Sequence, residues 1–245
     1  MNTIPRHLRR NKYSSASGSI TRRTFLQRSL AAASVLAMPA IIPASARGAN
    51  GSVAPSERIT VGLIGKGLMG AGHLNRVAYD KSFQLVAVCD VDKTRRDNGR
   101  EVADAVYAAN EPGGNYKGCS AYNDFRDLLA RPDIDAVVIV TPTFLHRDLA
   151  CLAASQGKHV FLEKPMAVTV AECAAINAAV QQAGVKLQIG FMRRFDDGFR
   201  RAKELRAHGE LGQVMIIKST GRGPGGPGAW MYDLRQSNGI IAEVN

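Results

Sequence analysis

Between Arg58 and Gly190 short apolar runs alternate with longer amphipathic stretches, and few folds accept that alternation. Strand and helix in repeated succession point to a parallel sheet covered on both faces, because each crossover lays its helix against the sheet. RITVGLIG is the first strand and QLVAVCD, ending at Asp90, the second. IDAVVIV, Ile134 to Val140, is apolar without alternation, as a strand buried on both faces should be. HVFL and VKLQIG complete the series. Helices are expected within GLMGAGHLNRVAYD, through EVADAVYAAN, in NDFRDLLA with Asn123 as its cap, and in FLHRDLACLAASQ, where Leu145, Leu149 and Leu152 share a face ahead of Gly157. VAECAAINAAVQQA follows, opened by Thr169 and Glu172 as a capping box and closed at Gly184. The fold class is therefore α/β, a doubly wound parallel sheet over residues 58–190.

Beyond Gly190 the pattern changes. MRRFDDGFRRAKELRAHG reads as a basic helix begun by Asp196 or Asp197, QVMIIKST as a strand and GRGPGGPGAW as a loop. One helix and one strand cannot bury a core of their own. Residues 191–245 are thus expected to be the start of a second, incomplete α/β domain.

The formal net charge of +11 would suit a nucleic-acid partner, but its distribution argues against one. Residues 1–56 hold Arg6, Arg9, Arg10, Lys12, Arg22, Arg23, Arg28 and Arg47 and no acidic residue. With TRRTFLQ, the apolar run LAAASVLAMPAII and the small-residue site Ala44-Ser45-Ala46, residues 1–46 read as a twin-arginine export signal and 47–57 as a linker. Cleavage after Ala46 removes seven of those charges, and 11 minus 7 leaves +4. The expected partner is the twin-arginine translocase, and the expected location the periplasm. The competing reading, a membrane anchor, asks too much of a short, Ala-rich stretch from Leu30 to Ile42. The four cysteines, Cys89, Cys119, Cys151 and Cys173, show no C-x-x-C and no nearby His pair, so no metal site and no disulfide framework is expected.

Three motifs carry chemistry. Gly65, Gly67 and Gly70 form G-x-G-x-x-G between a strand and a helix, the phosphate-binding turn of a Rossmann domain. Lys66, Leu68 and Met69 fill the loop and are counted with the glycines as cofactor-binding. Asp90, 20 residues past Gly70, ends the second strand, where a carboxylate can accept from a ribose 2′-hydroxyl. It would repel a 2′-phosphate, which favours NAD, while Lys93, Arg95 and Arg96 keep NADP possible. Thr141, Pro142 and His146 follow the most buried strand, beside the dinucleotide crevice, and are counted as cofactor-binding; His146 taken alone suits a helix start better than catalysis. Glu163, Lys164 and Pro165 leave the next strand. There partial desolvation suits a lysine to proton exchange, a glutamate can bond a ribose, and a proline, cis or trans, fixes the turn. Spacing alone also fits a solvated ion pair beside a helix-starting proline.

In combination, GLIGKGLMGAGH, TPTFLH, GKHVFLEKPMA and GFMRRFD resemble the Gfo/Idh/MocA family, the glucose-fructose oxidoreductase and inositol dehydrogenase group, over nearly all of residues 58–245. The resemblance implies an NAD(P)-dependent dehydrogenase of sugars or polyols and a second domain whose sheet mediates homo-oligomerisation. It implies that Lys164 is the catalytic, cofactor-orienting lysine, that Glu163 faces the cofactor, and that Arg193 and Arg194 of GFMRRFD either line the substrate side or cap the domain junction. Glu243 stands where the family carries a catalytic carboxylate, usually aspartate. The family's histidine, four residues further on, would lie two residues past Asn245, so the chain as given is expected to be C-terminally truncated and without activity. Export adds that the cofactor is tightly held, since free dinucleotide is not expected outside the cytoplasm. Two rivals stand beside this reading: an NAD-dependent glycosidase on the same fold, against which FLEKPM counts, and a non-catalytic nucleotide-binding fragment.

Overall fold

Six strands, β1 (Ile59–Ile64), β2 (Phe83–Cys89), β3 (Ser120–Tyr122), β4 (Ala136–Ile139), β5 (His159–Leu162) and β6 (Leu187–Ile189), make one sheet of order β3-β2-β1-β4-β5-β6. All neighbours run parallel. The computed structural model describes residues 53–110, 118–218, 220, 228–239 and 243. Residues 1–52, with the expected export signal and part of the expected linker, residues 111–117, and residues 221–227 of the expected GRGPGGPGAW loop lie outside these.

Among the described residues six α-helices accompany the strands: α1 (Leu68–Tyr79), α2 (Lys93–Asn110), α3 (Phe125–Leu129), α4 (His146–Ser155), α5 (Val170–Ala183) and α6 (Asp197–Ala207). Leu74 of α1 and Ala103 and Tyr107 of α2 pack with Val61, Leu63, Leu85 and Val88 on one face of the sheet. On the other, Leu128 of α3, Leu149 and Ala153 of α4 and Ile176 and Val180 of α5 pack with Ile64, Val137, Ile139 and Leu162. Packing dominates here. The α5 capping box, with Thr169 Oγ1 accepting from Glu172 N at 3.2 Å, contributes ~1 kcal/mol. Full burial of Ile176 alone contributes ~1.5–3 kcal/mol.

Strand register then positions the chemistry. Tyr122, Cys89, Ile64, Ile139, Leu162 and Ile189 are partners in one row across all six strands. The following row, which includes Asp90, Gly65, Val140, Glu163 and Gly190, is the C-terminal rim of the sheet. Backbone bonds carry the row onward: Gly65 N donates to Cys89 O at 2.9 Å, Glu163 N to Ile139 O at 3.0 Å and Gly190 N to Leu162 O at 2.8 Å. The strand order reverses direction between β1 and β4, so the crevice opens beyond their ends.

Four local expectations need correction. β3 is present although no strand is read there; three residues of edge strand are too short to show a period. α2 begins at Lys93, well before EVADAVYAAN, because Asp92 Oδ1 accepts from Arg95 N at 2.9 Å and caps it. The cap of α3 is Asp124, whose carboxylate accepts from Arg126 N at 2.8 Å, not Asn123. Residues 213–218 are not a strand: Met215, Ile216 and Ile217 are 81, 88 and 85% exposed, and no described strand lies beside them to pair with.

Candidate active site

The glycine loop leaves β1 through a turn that only glycine fits. Gly65 has φ +93°, and a Cβ there would stand 2.5 Å from Val140 O. At Gly70 a Cβ would stand 2.0 Å from Gly65 O, so the first turn of α1 lies directly on the loop. Gly67 differs: nothing lies within 4 Å of its Cβ position. No side chain caps α1 at Gly67, and the first N–H groups of a helix are unsatisfied by the helix itself. Leu68 and Met69, in that first turn, are 93 and 54% exposed.

Asp90 is nearly buried at the rim, and both its oxygens are engaged: Oδ2 accepts from Lys66 N at 2.7 Å and Oδ1 from Asp92 N at 2.9 Å. The carboxylate therefore shapes the glycine loop as well as facing the crevice. The Lys66 ammonium turns aside to Asn98 Oδ1. Lys93 and Arg96 both pair with Asp97, at 3.3 and 3.0 Å, so two of the three cations considered for a 2′-phosphate already hold a carboxylate.

A dinucleotide fits this geometry. Open space at Gly67 and an uncapped helix start offer room and donors to a pyrophosphate, with Gly67, Leu68 and Met69 as the residues that would hold it. Across the crevice Thr141 Oγ1 is buried with no hydrogen-bond partner among the described residues, and its methyl lies 3.2 Å from the Gly65 Cβ position. Buried hydroxyls are rarely left unmatched.

The exits of β4 and β5 are braced from behind. Pro142 precedes a single turn, Thr143–Leu145, that leads into α4. His146 is fully buried at the start of α4, with Nδ1 2.8 Å from Pro165 O and Nε2 2.9 Å from Thr141 O. Expected at the cofactor, His146 instead faces inward and joins the two exits. Burial lowers its pKa, against the pull of the two carbonyls and of Glu243 and Glu163.

Glu163 is likewise part of a brace. Its Oε1 lies 2.8 Å from Nε2 of His73 on α1, and its Oε2 accepts from Lys164 N at 2.9 Å. Gly190 makes room, since a Cβ there would meet the carboxylate at 3.1 Å. His73 also packs on Phe161, with ring centroids 5.1 Å apart. The Glu163 carboxylate thus ties β5 to the nucleotide helix, and any ribose hydroxyl must share oxygens that already accept. The expectations for this stretch do not include His73, although its place one turn past Gly70 puts it over the strand ends.

Lys164 stands one residue beyond the rim, before a cis peptide bond to Pro165. Its ammonium donates to the backbone carbonyl of Glu243, not to the Glu243 carboxylate. That carboxylate, 3% exposed, accepts instead from Thr143 Oγ1, 2.8 Å from its Oε1. Thr143 is a second residue that spacing does not reveal. Arg193 shares a pocket with Lys164, its guanidinium 5.5 Å above the Phe199 ring.

The Glu163–His73 contact gives a pH prediction. Burial alone would raise the Glu163 carboxyl, but hydrogen bonds from His73 and from Lys164 N–H outweigh it and hold the group below the ordinary glutamate value. A carboxyl depressed by folding stabilises fully above its unfolded pKa, and that stabilisation is lost as pH falls through the folded value. Glu163→Gln is expected to lower stability near neutrality by ~1–2 kcal/mol. It should also flatten the decline in stability on acidification. Urea midpoints measured from neutral into acid pH check this; parallel slopes for both proteins would remove the contact from the account.

A parallel sheet with a glycine turn and an uncapped helix start at its switch point defines a dinucleotide-binding protein. The chain belongs to the Gfo/Idh/MocA oxidoreductase family, whose NAD-binding Rossmann fold matches residues 59–191. It is 32% identical over 190 residues to the uncharacterized oxidoreductase YrbE of Bacillus subtilis, covering 78% of this chain and 51% of that protein. It is 36% identical over 161 residues to inositol 2-dehydrogenase of Salmonella typhimurium, covering 65% of this chain and 44% of that one. Among solved structures, scyllo-inositol dehydrogenase from Lactobacillus casei, with bound NAD(H) and scyllo-inositol, aligns with TM-score 0.55 at 31% identity. That alignment covers 63% of this chain and 42% of the other. The chain therefore spans about half the length of the curated relatives it matches.

Proposed function

We propose that the protein is a dehydrogenase that moves a hydride between a sugar or polyol carbon and a tightly held nicotinamide cofactor, and that it works in the periplasm after twin-arginine export. The observation that carries this reading is that one rim of the sheet carries Gly65, with Thr141 and Lys164 one residue beyond it: a dinucleotide turn on one side and a lysine beside a pocket on the other. Family membership and the likeness to inositol dehydrogenases support a polyol class of substrate.

The cofactor, when bound, supplies the hydride acceptor or donor. The chain supplies position and proton control. Gly67 and the start of α1 hold the phosphates, and Asp90 orients the ribose side. Glu163, held by His73, fixes the backbone from which Lys164 projects. The Lys164 side chain, resting on a neutral carbonyl oxygen, is free of a carboxylate among the described residues; as an ammonium it can give a proton to the substrate oxygen when the carbonyl is reduced, and as the neutral amine it can take the hydroxyl proton when the alcohol is oxidised.

Protein recovered from the periplasm should carry nucleotide that survives dialysis and is released by acid precipitation. Incubated with NAD and a panel of polyols and sugars, it should generate reduced nicotinamide, read by its fluorescence. Intact NAD binding with no turnover of any polyol or sugar would remove the substrate class. A periplasmic protein without nucleotide would remove the tightly held cofactor.

A further inference from the structure

The pocket beside Lys164 has a volume of about 480 Å³, enough for a monosaccharide with a substituent. Lys164, Arg193, Arg194, Arg200 and Lys203 line it together with three apolar side chains, and among the described residues no carboxylate does. Five cations around one cavity repel each other unless something negative enters.

The pairing pattern sharpens this. On α6, Arg201 does not line the pocket and is matched with Glu204 at 3.6 Å. Among the described residues no carboxylate pairs with Arg193, Arg194 or Lys203, and Arg200 has only a loose contact with the fully exposed Asp197, at 3.8 Å. Arg206 of α6 is unmatched among the described residues as well and lies outside the pocket. The other unmatched cations of this stretch, Arg193, Arg194 and Lys203, with the loosely held Arg200, all line the one cavity. The Arg193 guanidinium lies over the Phe199 ring, 5.5 Å from its centroid, and its N–H fork suits paired oxygens.

We propose that this pocket recognises an anionic oxygen group, a carboxylate or a phosphate ester, carried by the sugar or polyol substrate, so that the substrates are sugar acids or sugar phosphates in preference to neutral polyols. The inference rests on the dehydrogenase reading above, since Lys164 forms one wall. A neutral polyol would offer these cations only hydroxyl dipoles. An anion gives charge-assisted hydrogen bonds, roughly twice as strong as neutral ones.

The test is equilibrium binding to the NAD-loaded protein by calorimetry, with glucose against glucuronate and glucose 6-phosphate, and inorganic phosphate as a control. One of the two anionic sugars is expected to bind about 10- to 100-fold more tightly than glucose. Whether it is the acid or the phosphate tells which group the pocket takes. The preference should shrink as salt is raised, because part-exposed charges are screened. In Arg200→Gln and Lys203→Gln, both on the exposed helix α6, the ratio of anionic to neutral affinity should fall several-fold with the thermal transition unchanged.

Equal affinity for charged and neutral sugars overturns the inference and leaves the polyol reading standing. Inorganic phosphate binding as tightly as the sugar phosphate also overturns it, since the pocket would then be an anion site without a sugar. Binding of no sugar at all overturns both.

Discussion

Gly65→Ala is expected to abolish NAD binding and to destabilise the protein by roughly 2–4 kcal/mol, whereas Gly67→Ala should weaken NAD binding at nearly unchanged stability. The two glycines sit in one loop but face different surroundings. At Gly65, φ is +93° and the new Cβ would stand 2.5 Å from Val140 O and 2.8 Å from Val140 C, all rigid backbone at the end of β4. Relief requires moving the loop off the strand, which also moves Lys66 N away from Asp90. At Gly67 the new methyl meets no protein atom within 4 Å, and it takes up only the space into which a phosphate must come. Titration with NAD, followed by protein fluorescence, and thermal unfolding of both variants separate the two effects. Equal loss of stability in both would show that the loop is uniformly packed. Unchanged NAD affinity in Gly67→Ala would place the pyrophosphate elsewhere.

On the proposed function, Lys164→Met is expected to cut kcat by ~10²–10⁴-fold while changing the Kd for NAD much less. Methionine keeps the length and apolar bulk of the lysine stem and removes only the ammonium. What is lost is the donor now resting on the Glu243 carbonyl, the one positioned to exchange a proton with a hydroxyl in the adjoining pocket. A purely structural lysine would show its loss in thermal stability and in NAD affinity, with turnover falling only in proportion. The pH profile distinguishes the cases further: a limb of the wild-type rate that disappears in Lys164→Met assigns the proton step to this group. Near-normal turnover of the variant would return Lys164 to a structural part.

The parallel sheet was legible because period and punctuation agree. IDAVVIV has no alternation and its β4 core is buried on both faces, and Thr169 and Glu172 form the reciprocal cap that T-x-x-E encodes. Local signals failed where two adjacent residues could each cap a helix, as with Asn123 and Asp124, or where a strand was too short to show a period, as with Ser120–Tyr122. The strand-like composition of QVMIIK fixed no strand, because pairing depends on a neighbour as well as on the run itself. In the candidate site, positions along each strand exit could be read, since motif and strand end coincide. The partners could not. Glu163 meets His73 across 90 residues and Thr143 meets Glu243 across 100, and no periodicity links residues on different elements. For the same reason His146 looked like a ligand contact: the sequence shows an imidazole after a strand end but not the two carbonyls that enclose it.

Those two carbonyls make His146 a spacer of fixed length. Its ring is flat and rigid, and its nitrogens stand 2.8 and 2.9 Å from Pro165 O and Thr141 O, so the gap between the two loops is gauged by a single aromatic ring. One of those loops faces the glycine turn and the other carries the lysine. On the proposed function, the spacing between the cofactor side and the lysine side is therefore set by a part that lies behind both, and the tolerance of that spacing is the tolerance of two hydrogen bonds.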